Sequence, residues 1–422
     1  MKIFFLRCII VFPCIVSCAG ESLFKFDFGS GKVASGWIQV LPTTLYSKQL
    51  GYGFDLNSKV TAVDRAGDDP LCSDFCTSDQ PFFFSVALPE GNYDVSITLG
   101  DLTGETHTTV KAESRRLMVE QAKTAAGKFI SRTFTVNIRT ARLSSSGEVR
   151  LKSREFGPPM VLHWDDKLTI EFNGVRPCVC AMEIAKAPDA ITVFLAGDST
   201  VTDQPREPWN SWGQMLPRFF KPGVAIANHA ESGESLPSFL AAKRFDKILS
   251  TIKSGDYLFI QFGHNDQKDK RPNAGPFTTY KTNLLRFVAE ARQRGGIPVL
   301  VTPMERKAGV TQDTLGDFPA AVREVAKEQH VPLIDLYAMS KTLYSALGKN
   351  LDQAFQDGTH HNNYGSYELA KCIIEGIKSN KLGLTRFLVD DVSAFDPGHP
   401  DPVASFTVPA SPLRSTEKPE GN

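Results

Sequence analysis

The chain has 422 residues, 41% of them hydrophobic and 22% charged, with 47 Lys and Arg against 47 Asp and Glu. That length accommodates two domains, each burying its own core. The even charge balance excludes a global field that would steer the protein to nucleic acid or a membrane surface, so any preference for an acidic partner has to come from local residues.

Lys2 and Arg7 accompany a short apolar run over residues 8–16 that ends in small residues. It is too short to span a bilayer and reads as a signal peptide of residues 1–19. Ser17-Cys18-Ala19 suits ordinary cleavage after Ala19, which is preferred, while Ile15-Val16-Ser17-Cys18 also resembles a lipoprotein box with Cys18 acylated. No later run is apolar enough to cross a membrane. The mature chain is therefore expected to be secreted, periplasmic or at the cell surface, with a lipid anchor at Cys18 as the alternative. Outside the signal region, Cys72 and Cys76 are spaced C-x3-C, and Cys178 and Cys180 C-x-C. Neither is the usual spacing of a zinc pair, and no His stands at ligand spacing beside them. In an exported chain, one or two disulfides among these four are expected, with Cys372 as core.

Residues 22–187 carry short β-rich runs at 81–88, 93–99, 131–138, 167–173 and 179–184. Alternation is visible in Tyr93-Asp94-Val95-Ser96-Ile97, and Pro89-Glu90-Gly91-Asn92 is a turn between two such runs. This spacing predicts a β-sandwich. A short linker follows at 185–190.

The period then changes. Apolar runs of strand length stand at 191–196, 224–227, 257–262, 297–301 and 332–336, with helical patterns at 280–294, 318–328 and 362–378. Strands alternating with helices predict parallel crossovers and a doubly wound sheet over residues 191–390. In such a sheet, ligands bind outside the carboxyl ends of the strands. Residues 391–422 are rich in Pro and Ser, with little pattern, and are expected to wrap the surface or stay mobile.

Four motifs fall on those strand ends or on the last loop before a helix. Gly197-Asp198-Ser199-Thr200 places a hydroxyl at a strand-to-helix junction, where backbone N–H groups can also face an oxyanion. Alone, it would read better as a helix N-cap. Asp357-Gly358-Thr359-His360 puts a carboxylate and an imidazole on one loop, so that the Asp can hold the His tautomer while the other ring nitrogen faces the serine. Alone, that could be a capping Asp beside a surface His. The adjacent His361 is expected to point elsewhere. Gly263-His264-Asn265-Asp266 supplies a side-chain amide able to donate to developing negative charge, with His264 as a hydrogen-bonding scaffold rather than a second base. In the stretch from Asn228 to Ser235, Gly233 permits close backbone approach and a second donor.

Taken in order, these stretches resemble the GDSL-type (SGNH) hydrolase superfamily, specifically its rhamnogalacturonan acetylesterase branch. The likeness rests on Leu195-Ala196-Gly197-Asp198-Ser199-Thr200, Phe262-Gly263-His264-Asn265-Asp266 and Asp357-Gly358-Thr359-His360. Trp212-Gly213-Gln214-Met215-Leu216, Pro332-Leu333-Ile334-Asp335-Leu336 and Phe395-Asp396-Pro397-Gly398-His399-Pro400 extend it. The resemblance implies a three-layer, flavodoxin-like α/β domain with a parallel sheet. The opening Phe26-Asp27-Phe28-Gly29 resembles the galactose-binding-like β-sandwich that precedes it in longer bacterial members.

By the same resemblance, Ser199 is the nucleophile, His360 the base and Asp357 its orienting partner. The Ser199 and Gly233 N–H groups, with the Asn265 side chain, form the oxyanion hole, and neither metal nor cofactor is required. The implied partner is an acetylated plant cell-wall polysaccharide, a rhamnogalacturonan or related pectin, with acetylated xylan as the alternative. A polysaccharide-binding protein acting through its sandwich is the non-enzyme alternative; otherwise the sandwich is expected to buttress the catalytic domain. No amphipathic lid segment stands out, so acetyl esters should be preferred to long acyl esters. One departure stands in the Gly233 loop, where relatives carry an arginine and this chain carries Glu234, an anion beside the cleft. Lys268, Lys270 and Arg271 are the tentative substitutes for binding a sugar carboxylate.

Overall fold

The computed structural model describes residues 22–144, 146–156 and 162–420. The expected signal peptide, with Cys18, lies outside the described residues.

The first domain is built from alternation. One five-stranded sheet runs in the spatial order Lys128–Ile138, Gly91–Asp101, Ala181–Lys186, Ser22–Phe28, Ile38–Val40; the facing sheet runs Tyr52–Asp55, Phe82–Ala87, Lys167–Arg176, Thr106–Ala112, Arg116–Thr124. Every second residue of Gly91–Asp101 from Tyr93 to Leu99 points inward and is buried, as a strand with one covered face requires. Between the sheets, Phe84 is packed edge-on by Phe26 at 5.2 Å, Phe28 at 4.9 Å and Phe54 at 5.6 Å. Such tilted contacts suit the ring quadrupoles. This is the expected sandwich, with a small third sheet of Cys178–Val179, Asp74–Thr77 and Thr61–Asp64 at its edge.

The expected disulfides are absent: Cys72, Cys76, Cys178, Cys180 and Cys372 are all free thiols. Three of the buried thiols donate to backbone carbonyls instead. Cys178 and Cys180 both donate to Gly100 O, at 3.6 and 3.3 Å, and Cys76 donates to Val40 O at 3.7 Å. Buried in this way, they behave as small apolar residues with a weak donor.

The second domain has a parallel sheet of β1 (Ile191–Gly197), β2 (Val224–Asn228), β3 (Tyr257–Gln261), β4 (Ile297–Val301) and β5 (Leu333–Ile334), in the order β2-β1-β3-β4-β5. Alternate residues along each strand feed two separate cores. Val193 and Leu195 of β1, Tyr257 and Phe259 of β3, and Val299 and Val301 of β4 pack on one face with α1 (Trp212–Met215), α6 (Leu336–Leu347) and α7 (Asn363–Ser379). Phe194, Ala196, Leu258, Ile260 and Leu300 pack on the other with α2 (Leu236–Ala241), α3 (Arg244–Thr251), α4 (Lys281–Gln293) and α5 (Phe318–Gln329). The result is a three-layer, flavodoxin-like domain whose strand order reverses between β1 and β3, the crevice where such folds bind ligands.

One local reading needed revision. The run 332–336 is a strand only over Leu333–Ile334, because Asp335 turns away to cap α6, its carboxylate accepting from Ala338 N at 3.3 Å and Thr302 Oγ1 at 3.0 Å. Residues 391–420 wrap the surface. The segment crosses to the first domain, where Lys111 Nζ donates to Pro409 O at 2.7 Å and Ser411 Oγ at 2.8 Å.

Candidate active site

The carboxyl ends of β1, β2 and β3, together with the loop before α7, bring the expected residues together. Ser199 follows β1 by two residues and is 2% exposed. Its Oγ lies 2.8 Å from His360 Nε2, and His360 Nδ1 lies 2.9 Å from Asp357 Oδ2. A carboxylate can only accept, so Nδ1 carries the proton and Nε2 is left as acceptor for the serine hydroxyl. Asp357 Oδ1 accepts from Thr359 N and His360 N, both at 2.7 Å. Burial would push the Asp357 carboxyl up, but the His360 ring and these two N–H groups outweigh it and hold it down to about 2. The carboxylate therefore stays charged wherever the histidine can act as a base.

Asp198 and His264, neither of them expected to react with substrate, hold the nucleophile loop in place. Asp198 Oδ1 accepts from Thr200 N at 2.9 Å and Thr200 Oγ1 at 2.7 Å, and its Oδ2 lies 3.2 Å from His264 Nδ1. His264 Nε2 donates to Met304 O at 2.9 Å. Here the histidine is the scaffold expected of it, tying the β3 loop to the residues after β4. Burial would raise the Asp198 carboxyl, yet the His264 and Thr200 contacts bring it below the ordinary carboxylate range. His361 turns away, with Nε2 3.0 Å from Tyr344 Oη and its ring against Phe355.

Of the expected oxyanion donors, neither the Ser199 nor the Gly233 N–H has a hydrogen-bond acceptor among the described residues. Gly233 adopts φ +79°, a conformation that favours glycine. The Asn265 amide donates to Glu234 O at 3.0 Å through one of its two hydrogens, leaving the second available. Gln204 Nε2 donates to Ser199 O at 2.8 Å and to Ser232 Oγ at 3.2 Å, joining the nucleophile loop to the Gly233 loop. Trp209, which the sequence did not single out, sets its ring edge-on to His360 at 5.8 Å.

The three tentative carboxylate binders have different positions. Lys268 Nζ donates to Asn265 Oδ1 at 3.1 Å and so borders the site. Arg271 is paired with Asp269 at 2.5 Å, and Lys270 Nζ reaches Gln267 O at 3.3 Å; both engage their own loop. Glu234 does not present an anion to the cleft as expected. It is buried, its carboxylate accepting from Ser238 Oγ at 2.5 Å and lying 3.2 Å from Lys152 Nζ. No cluster of three or more His, Cys, Asp or Glu suited to a metal occurs among the described residues.

The first domain reaches this site directly. The turn joining Thr106–Ala112 to Arg116–Thr124 inserts behind residues 203–209. There Arg115 Nη1 donates to Gln204 O at 2.9 Å and Trp209 O at 2.8 Å, and Arg115 and Arg116 pair with Glu207 at 2.6 Å and Asp203 at 2.7 Å. The sandwich buttresses the loop that carries Gln204 and Trp209.

This fold and residue set define a class, the carboxylic ester hydrolases. The profile of the GDSL-like lipase/acylhydrolase family matches residues 195–366, and that of the beta-agarase/YXIM esterase-like, galactose-binding-like domain matches residues 24–143. Rhamnogalacturonan acetylesterase RhgT of Bacillus subtilis is 40% identical over 221 residues, covering 47% of this chain and 94% of RhgT. The uncharacterized esterase YxiM of the same organism is 27% identical over 385 residues, covering 86% of this chain and 92% of YxiM. A solved structure of YxiM aligns over 86% of this chain and 99% of that one, at 24% identity and a TM-score of 0.44. The chain belongs to the GDSL-like (SGNH) hydrolase family, in its rhamnogalacturonan acetylesterase-like branch.

Proposed function

We propose that the protein removes O-acetyl groups from a pectic polysaccharide of the rhamnogalacturonan type through an acetyl-serine intermediate. The observation that carries this reading is the chain of contacts from Ser199 Oγ through His360 to Asp357. The 40% identity to a rhamnogalacturonan acetylesterase over nearly its whole length supports the substrate. Ser199 Oγ attacks the acetyl carbonyl carbon while His360 Nε2 takes its proton. The oxyanion is held by the Ser199 and Gly233 N–H groups and the Asn265 amide; one such donor contributes roughly 3–4 kcal/mol in comparable sites. Collapse breaks the ester C–O bond, and the sugar oxygen leaves with the proton from His360. Water then attacks the acetyl-serine, giving its proton to His360, and acetate departs as Ser199 regains a proton.

The test is acetate release from acetylated rhamnogalacturonan and acetylated xylan, by the full chain and by Ser199→Ala. Release is expected from the pectin first and to vanish in the variant. Much faster release from xylan would overturn the substrate, and an active Ser199→Ala the mechanism. Export through residues 1–19 is part of the same proposal, supported by Lys2, Arg7 and the apolar run at 8–16. A mature mass beginning after Ala19 is expected, and an acylated Cys18 would assign the lipid-tethered form.

A further inference from the structure

Lys152 and Arg154 come from the first domain, yet their charged ends lie over the Gly233 loop of the second. Lys152 Nζ donates to Ser232 O at 2.5 Å, and Arg154 Nη2 donates to the same carbonyl at 2.8 Å. Glu231, buried, pairs with Arg154 at 2.5 Å, and Glu234 lies 3.2 Å from Lys152. Both cations are therefore anchored by the second domain's own backbone and carboxylates.

Between them sits one further carboxylate. Glu420 Oε2 is 3.1 Å from Lys152 Nζ, and Glu420 Oε1 is 3.0 Å from Arg154 Nη1. The side chain presses on Gly233 so closely that a Cβ added there would stand 3.2 Å from Glu420 Cβ and 3.4 Å from Oε2. Each oxygen of an acid group thus meets its own cation, against the residue proposed to stabilise the oxyanion. The acid that holds this place is loosely owned: the Glu420 side chain is 59% exposed, whereas Lys152 and Arg154 are each 26% exposed. A pair with one partner so open to water is weak and readily exchanged. The cleft alongside is lined by Gln204, Trp209, Ser232 and Arg154, with Glu417 and Pro419 on its wall. Trp209 in its lining sets its ring edge-on to His360, and Arg154 in the same lining is one of the two cations.

We propose that Lys152 and Arg154 form a subsite for the carboxylate of a uronic acid residue flanking the acetylated sugar, and that Glu420 occupies this subsite until the polysaccharide displaces it. This rests on the pectic reading above for the identity of the polymer, and on the geometry alone for the carboxylate. It also assigns the cation lost at Glu234 to another domain: the positive charge enters from the sandwich. Two cations with fixed ends recognise an acid group by charge and by spacing, and a neutral sugar has no charge with which to replace that of Glu420.

The experiment compares acetylated rhamnogalacturonan with the same polymer after chemical reduction of its carboxyl groups, using the full chain. Wild type is expected to favour the acidic polymer at least 10-fold in kcat/KM, chiefly through KM. Lys152→Gln should erase most of that preference, and Glu420→Gln should lower KM for the acidic polymer several-fold while leaving KM for the reduced polymer in place. Because Arg154 pairs with buried Glu231, Arg154→Lys is the second variant, accepted on an unchanged melting temperature. Equal activity on both polymers in wild type, or a preference that survives Lys152→Gln, overturns the subsite. If neither polymer is deacetylated, the pectic reading fails by itself. Calorimetric titration with digalacturonate then decides the subsite separately: binding to Glu420→Gln that is lost on adding Lys152→Gln upholds it, and no binding or unaltered binding overturns it.

Discussion

Arg115 Nη2 meets Glu207 Oε1 at 2.6 Å in the seam between the two domains, with each side chain only 4% exposed. The pair fixes the loop that ends in Trp209, whose ring abuts His360. The Glu207 carboxylate also accepts from Ser411 N at 2.9 Å and Asn363 Nδ2 at 3.1 Å. Removing one partner of a buried pair strands the other's charge, at a cost of about 3–5 kcal/mol. Arg115→Ala should therefore lower unfolding free energy by that order in urea and reduce kcat by loosening Trp209. Burial acts to raise the Glu207 carboxyl, but Arg115 and Lys111 outweigh it, so its folded value lies below the ordinary one. Its stabilisation is present above the ordinary glutamate range and is lost as pH falls through the folded value. The acid limb of the stability profile should flatten in the variant; parallel limbs would count against the pair.

Asp357→Asn tests the tautomer argument. The asparagine oxygen can still accept from Thr359 N and His360 N, which turns its NH2 toward His360 Nδ1. That drives the ring proton to Nε2, where it faces Ser199 instead of receiving its proton. A fall of about 10³–10⁴ in kcat is expected on the model ester p-nitrophenyl acetate, with near-UV circular dichroism unchanged. A loss below tenfold would mean that Asp357 does not set the tautomer.

Asp266 gives a pH dependence of the opposite sign. One of its oxygens accepts from Leu236 N at 2.9 Å, while the other is buried with no partner among the described residues. Burial, aided by the charge of Asp198, pushes its carboxyl up to about 7. Between the ordinary aspartate range and that value, the folded chain holds a proton that the unfolded chain has released. Stability from this group is full in acid and is lost as pH rises to about 7. Asp266→Asn should leave stability alone near pH 4 and raise it at pH 8, on the order of 4 kcal/mol. Denaturant midpoints across that range check it, and curves that stay parallel would refute the assignment.

Gly213 lies at the start of α1, beneath the nucleophile loop. A Cβ there would stand 2.2 Å from Val201 O and 2.7 Å from Asn228 Nδ2. Asn228 Nδ2 itself donates to Val201 O at 2.7 Å and Asp203 Oδ1 at 2.8 Å, so the added carbon would displace a bonded network. Gly213→Ala should cost about 2–3 kcal/mol and lower the melting temperature by several degrees. An unchanged melting temperature would show that the loop can shift.

The catalytic half was legible because its signals are periodic and local. Runs such as Val193 to Ala196 alternate between two cores, and Ser199, Asn265 and His360 stand at the loops where the strand period breaks. Asp198 was overlooked because its role is to hold Thr200 and His264, partners that spacing alone does not join. The contribution of the sandwich to the site was hidden for a different reason. Arg115, Lys152 and Arg154 carry no signal in the sequence, since packing across a domain seam leaves no periodic trace. The cysteines misled by compartment reasoning: exported chains favour disulfides, but here Cys178 and Cys180 share a backbone carbonyl.

Ser411 sits where the seam is tied off. Its Oγ donates to Glu171 Oε2 at 2.7 Å and accepts from Lys111 on one side, while its N–H serves Glu207 on the other. The two halves are thereby keyed like lock parts cut as a set. A hydrolase half severed near residue 190 would carry Asp203, Glu207 and Glu231 without their counter-cations. Heating the intact chain should produce one calorimetric endotherm, and exchanging the sandwich for that of a relative should fail unless the arginines of the 113–116 turn travel with it.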